Sequence, residues 1–404
     1  MTAPLFDDEE PFPPTPAAAQ ARLQAVRPAA YARSRNHLDG AVTRLSPYLT
    51  HGLLTLPQVL QAVQQQHGPL PREHKLVFEL GWREYFRHVW AHLGDGIFAS
   101  LHDGVLPDAA YARELPADLL QARTGVPAID AAVRELLATG WLHNHARMWL
   151  ASYMVHLRKL HWRSGADWMY SLLLDGDLAS NHLSWQWVAG TGSHKPYLFN
   201  AENVARYAPA GWHSPGSVID QDYAALDRLA RQPQPVAGGV AAAPQALHAA
   251  PPPGFMPPDA QAVRGRVLWI VHAWSLADPP ADLPADALRI GLLLAPWHAR
   301  WPWSAARWRF VTERMRALCS RPDDQLWWAT PEPLHAALAA AAQVQARDDA
   351  HLQGLLDRWH PRTAPCLFEP VARPCRSFSQ WWSRTRLRAD LADAQPLGGS
   401  SAFS

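Results

Sequence analysis

Residues 172–190, LLLDGDLASNHLSWQWVAG, bring two Asp, an Asn, a His and two Trp into one short stretch. The spacing of Leu178, Trp185 and Val188 suits an ordinary core helix, which buries positions three, four and seven apart. It does not account for the clustered polar side chains. Asp175 and Asp177 resemble the opening of a calcium loop, but Asn181, His182 and Leu183 stand where later acids and a Gly would be needed. His143, His145 and His182 share no zinc-type spacing with a cysteine. No metal site is expected.

Three further clusters carry chemistry. In YARSRNHLDGAVTRLSPYLTHGLL (31–54), Thr43, Arg44 and Ser46 place hydroxyls and a guanidinium at a helix start, which suits either an anion or a simple cap before Pro47. In FELGWREYFRH (78–88), Glu79, Trp82, Arg83 and Phe86 share a helical face. That face offers either a Trp beside a carboxylate to receive a flat ring, or a Glu79/Arg83 ion pair next to a core Trp. In TGWLHNHARMWLASY (139–153), His143/Arg147 and Asn144/Met148 are pairs four apart on adjacent strips of one helix.

The elements that position these residues are mostly helical over residues 1–230. VPAIDAAVRELLATG (126–140) has Pro127 at its start, an apolar face of Ile129, Val133, Leu136 and Leu137, and Gly140 as a stop. HKLVFELGWREYFRHVWAHL (74–93) is a long amphipathic helix whose interior Gly81 suggests close approach of another group. Residues 231–261 are rich in Pro, Ala and Gly and read as a linker. Beyond it, RVLWIVHAWSL, LRIGLLLAP and QLWWAT alternate with helical SAARWRFVTERMRALC and PLHAALAAAAQ, predicting a small parallel α/β domain over 262–385 and a disordered tail over 386–404. No glycine-rich phosphate loop follows its first strands.

Composition narrows the classes. The 404 residues hold 37 Lys plus Arg against 36 acids, so any nucleic-acid site must be a local patch. Three cysteines are too few for a disulfide framework, the N-terminus is acidic, and no run of eighteen apolar residues occurs. A soluble, cytoplasmic protein without a membrane partner is expected.

Taken in order, RLSPYLTHGLL, ELGWREYFRH, TGVPAIDAAVRELLATGWLHNHARMWLASY, HWRSGADW and LLLDGDLASNHLSWQWVAGTG resemble the flavin-binding helical domain of the cryptochrome/DNA photolyase family over residues 25–215. The resemblance implies a mainly α fold, with an all-helical FAD-binding domain followed by the linker and the small α/β domain. It implies FAD as cofactor and light-driven splitting of cyclobutane pyrimidine dimers in damaged DNA, with the dimer flipped out into a pocket; a cryptochrome-like light-responsive protein without repair is the alternative. By motif position, Tyr31, Thr43, Arg44, Leu45 and Ser46 would hold the FAD phosphates, with Arg83 also at the flavin. Arg147 and Asp175 would pair beside the flavin ring, Asp177 would meet its pyrimidine edge, Asn181 would face its reactive nitrogen, and Asn144 would also contact the cofactor. Glu79, Trp82, Asn144, Met148 and Trp187 would line the lesion pocket. The related photoproduct lyases carry His at the positions of Asn144 and Met148, so the cyclobutane substrate is favoured. Trp185 and Trp162 match the first two members of an electron-transfer chain, with Tyr111 the nearest oxidisable third.

Two features depart from the family pattern. The flavin domain begins near residue 1 and the α/β segment follows it, as in a short form lacking the usual N-terminal antenna domain; no second, antenna chromophore is inferred. His182 and Leu183 are bulky where small residues are usual. Arg35, Arg83 and Arg87 are the expected phosphate contacts to DNA.

Overall fold

The computed structural model describes residues 11–233 and 246–388. The helices that matter for the site are α1 (Pro28–Ser34), α2 (Ser46–Thr50), α3 (Lys75–Leu93), α4 (Pro127–Thr139), α5 (Asn144–Ser152), α6 (Trp162–Leu172) and α7 (Leu178–Ala189). Local signals set their ends. Pro127 occupies the first turn of α4, where its missing N–H is not needed, and Gly140 closes the helix at φ +64°. The Asp177 side chain caps α7 by accepting from the Ser180 N–H at 2.8 Å. Gly81 lies inside α3 because a Cβ there would come within 2.6 Å of the Trp382 ring.

The α/β unit contains β1 (Val267–His272), β2 (Leu288–Leu294), α8 (Ala305–Leu318), β3 (Gln325–Ala329), α9 (Pro331–Ala340), β4 (Gln343–Ala346) and α10 (Phe378–Arg384). Its four strands are all parallel in the order β3–β2–β1–β4. Residues of β1 and β2 are buried almost throughout, as both-face covering of a parallel sheet demands.

The segment expected as a linker is partly structured. Residues 234–245 lie outside the described residues, but Leu247–His248 pair antiparallel with Trp303–Ser304, and Met256 exchanges backbone hydrogen bonds with β3 through Leu326 and Trp328. A Pro-rich chain can still run along a sheet edge, where missing donors cost no ladder bonds. At the other end, Leu387 bridges Phe368, so 386–388 are paired rather than disordered, and the rest of the expected tail lies outside the described residues.

One buried cluster runs from Phe12, Tyr48 and Val77 through Leu174 and Leu178 to Trp269, Phe310 and Trp381. The helical half and the α/β unit therefore share a core. His51 marks the junction: one ring nitrogen meets the Leu174 carbonyl at 2.8 Å and the other the Ala273 carbonyl at 2.6 Å. Among the described residues no helix is long and apolar enough to cross a membrane.

Candidate functional site: a two-lobed cleft in the helical half

A cleft of about 320 Å³ opens between α1, α3, α5 and α7. Its walls include Tyr31, Thr43, Arg44, Ser46, Glu79, Trp82, Arg83, Asn144, Arg147, Met148, Asp175, Asp177, Asn181 and Trp185. Most of the residues picked out by motif thus converge from separate helices. On α7 the lining positions 180, 181, 184, 185 and 188 form one strip at helical spacing.

Arg147 donates from Nη2 to both carboxylate oxygens of Asp175 at 3.0 and 2.8 Å, and its Nε donates to the Leu142 carbonyl. This charge-assisted contact from one guanidinium nitrogen, with the Nε bond to the backbone, anchors Arg147 beside Asp175. Asn181 donates its amide to the Ala166 carbonyl at 2.8 Å, which sets its orientation on the wall. Asp177 is 1% exposed and meets Arg87 at 2.5 Å and Arg83 at 4.0 Å. Burial alone would raise its pKa; the Arg87 and Arg83 charges outweigh that and hold it well below the ordinary carboxylate range.

The α/β unit reaches the same turn. Arg307 of α8, fully buried, donates to the Tyr170 carbonyl at 3.0 Å and to the Gly176 carbonyl at 2.6 Å, between the two carboxylates. A Cβ at Gly176 would sit 2.4 Å from the Arg307 Nη1, which explains the Gly in the DGD sequence. The failed calcium loop is a turn clamped from below by a guanidinium.

The opposite lobe is basic. A smaller pocket shares Tyr31, Val42, Thr43 and Arg44 with the main cleft and adds Arg22 and Arg27. Burial and then repulsion from Arg22 lower the Arg44 pKa, so an anion there relieves both. Arg44 adopts φ +51° and lies 4.8 Å over the Trp141 ring, whose Nε1 donates to Ser46 Oγ at 3.3 Å. The helix-start argument weakens, since α2 has five residues and Leu45, its N-cap, makes no side-chain cap and is buried in the core.

Several expectations change in detail. Glu79 does not pair with Arg83 four residues on; it pairs with Arg35 at 3.0 Å, while Arg83 donates to Thr50 Oγ1 at 2.8 Å. Arg83 and Arg87 both face Asp177, with side chains 19% and 26% exposed. Trp82 stacks on Phe378 of α10 at 4.1 Å and 11°, which fixes one ring face. Trp187 is 40% exposed, packs at 5.8 Å on Tyr197 and does not line the cleft. Trp162 is buried away from the cleft and donates to Ser100 Oγ; Tyr111 connects to it through His161, with ring centroids 6.4 and then 5.8 Å apart. His182 is fully buried, bonds to Asp167 at 2.9 Å and meets Trp301 of the α/β unit edge-on at 5.6 Å. Its bulk fills the junction and does not narrow the cleft. Sequence reasoning missed Arg22, Arg27, Trp141 and Ser180 in the walls and Arg307 behind them.

The residues fit FAD. Ser180 Oγ is buried on the cleft wall with no hydrogen-bond partner in the protein, a vacant polar position of the kind a ligand satisfies. Arg22, Arg27, Arg44, Thr43 and Ser46 suit a pyrophosphate, and Asp175, Asp177 and Asn181 suit a flat ring with donors and acceptors on its edge.

Comparison with known proteins agrees. Residues 76–211 match the family described as the FAD binding domain of DNA photolyase. A deoxyribodipyrimidine photo-lyase of Streptomyces griseus is 38% identical over 156 residues, 38% of this chain and 33% of the relative. One from Thermus thermophilus is 38% identical over 227 residues, 52% of this chain and 51% of the relative. A cryptochrome DASH of Idiomarina loihiensis is 34% identical over 190 residues, 44% of this chain and 42% of the relative. The chain thus spans about a third to a half of the length of these relatives. Residues 76–211, with the walls they contribute to the cleft, are thus similar to the FAD-binding domain of the DNA photolyases.

Proposed function

We propose that the protein is a light-driven lyase that splits cyclobutane pyrimidine dimers in DNA using reduced FAD. The observation that carries this reading is that Glu79, Trp82, Asn144 and Met148 face the same cleft as the Arg147–Asp175 pair and Asn181. Bound and reduced, FAD supplies the photoexcited electron donor. The chain's own residues do the rest. Trp82, held flat by Phe378, offers a stacking face to an extruded pyrimidine, worth about 1–3 kcal/mol per base. Asn144 donates to the Met148 sulfur at 3.5 Å, so an amide and a polarisable apolar group stand side by side at the mouth. Glu79, paired with Arg35 at 3.0 Å, presents a carboxylate that can accept from a base N–H; burial raises its pKa and the Arg35 charge opposes that. Trp185, on the cleft wall, is the residue that would resupply electrons to the cofactor.

The test is repair of a defined dimer in single- and double-stranded oligonucleotides by photoreduced, FAD-loaded protein under blue light. Loss of the dimer absorbance signature is expected; no repair sinks the proposal. A second reading, a light-responsive flavoprotein without repair, is favoured by one observation: Trp187 stands off the cleft walls, so the second aromatic bracket is missing from them. Light-dependent oligomerisation without repair supports it instead.

A further inference from the structure

The α/β unit contributes charge to the cleft as well as packing. Arg87 of α3 joins two carboxylates from different halves: Asp177 at 2.5 Å and, through Nη1, both oxygens of Asp349 at 3.3 Å. Asp349 in turn accepts from the His351 backbone N–H at 3.0 Å and contacts its ring Nδ1 at 2.5 Å. The His351 ring is fully buried and stacks on Trp274 at 4.2 Å and 4°, with Trp90 edge-on at 4.8 Å. Asp349 therefore cannot swing away from Arg87 without breaking its own turn.

Without Asp349 the excess of positive charge at this point grows by one, since Arg307 also lies beside Asp175 and Asp177. Arg83 and Arg87 face Asp177, and Asp349 is the second negative group. In a buried site such an imbalance is poorly screened.

We propose that Asp349 is a positioning residue of the FAD site: by neutralising Arg87 from behind, it fixes Asp177 on the cleft wall and sets the local charge that the flavin experiences. This gives the α/β unit a part in tuning the cofactor, and it rests on FAD occupying this cleft. Burial alone would raise the Asp349 pKa, but Arg87 and then His351 reverse that and keep it ionised.

The full chain, loaded with FAD, is compared with Asp349→Asn and Arg87→Gln by spectroelectrochemical titration of the flavin. Asn retains the acceptor for the His351 N–H, so the turn can persist. Removing the negative charge stabilises the more negative, reduced flavin, so Asp349→Asn should shift the midpoint potential positive. Removing the positive charge should shift Arg87→Gln negative, and Asp349→Glu should return the potential toward the parent value. Asp282→Asn, which loses an exposed α/β carboxylate paired with Arg362, should leave it unchanged. Unchanged potential in Asp349→Asn, or shifts of the same sign in Asp349→Asn and Arg87→Gln, overturns the inference. Should Asp349→Asn fail to fold, the sign of the Arg87→Gln shift decides: a negative shift supports the inference, while a zero or positive shift overturns it. Parent protein that binds no FAD refutes the cofactor reading itself, which separates the two failures.

Discussion

Gly165→Ala tests how the cleft wall is built. A Cβ at 165 would lie 2.4 Å from both Cη2 and Cζ3 of Trp185 and 3.0 Å from the Met154 methyl. Carbon atoms at van der Waals contact are about 3.5–4.0 Å apart, so the ring must move by roughly 1 Å or more. Trp185 is 2% exposed and packed in the core on its other sides, which leaves the cleft as the direction of escape. Overpacking of this kind costs about 1–3 kcal/mol, and replacing an interior helical Gly returns about 1 kcal/mol. With the clash at the severe end, the net expectation is a loss of about 2 kcal/mol in urea unfolding monitored by Trp fluorescence. FAD affinity and the flavin absorption band should change with it, because the displaced ring enters the ligand's space. Gly211→Ala, where an added Cβ meets nothing within 4 Å, is the control. If Gly165→Ala unfolds within about 0.5 kcal/mol of the parent and its flavin spectrum is unaltered, the reasoning fails.

Gly176→Ala should drive the Arg307 guanidinium off the Tyr170 and Gly176 carbonyls, costing roughly 3 kcal/mol as a buried charge loses its partners and releasing FAD during gel filtration. Lys159→Met should destabilise by about 3 kcal/mol in denaturant titration, since the Lys159 ammonium donates to the carbonyls of His156, Leu229 and Ala230 at 2.6–2.8 Å while almost fully buried. Acid should also destabilise. Burial lowers the pKa of His156 and His272 to about 4, below the unfolded value near 6.5, so between these limits the unfolded chain binds more protons and stability falls as pH falls. Each full shift is worth about 3 kcal/mol, and His156→Gln should flatten the slope between pH 6.5 and 4. Glu84, whose pKa burial raises to about 7, acts in the opposite sense over its own window, with stability lost as pH rises from about 4.5 to 7.

Much of the architecture was legible because its signals are local. Pro127 and Gly140 bracket α4, Gly81 announced the Trp382 contact, and the apolar runs around 268 and 290 became parallel strands in order. The cleft residues were legible through motif order, which ties positions on separate helices to one ligand. What stayed hidden depends on partners far away in the chain. Nothing near Glu79 distinguishes Arg83, four residues on, from Arg35, which the fold brings to 3.0 Å. Arg307 and Asp349 enter the site from residues 131 and 262 positions away from the groups they hold. Trp187 is a different kind of miss: two residues past Trp185 it is rotated about 200° around α7, so helical geometry already argued against both rings facing one wall.

His51 lies between carbonyls from different halves of the molecule, its buried neutral ring donating to one and packed against the other. A ring pinned that way acts as a latch between halves that the chain itself joins through residues 231–246. Heating should therefore give one calorimetric transition instead of two, and a chain cut between 234 and 245 should copurify as a noncovalent pair. Neither piece alone would keep the carboxylate turn in place.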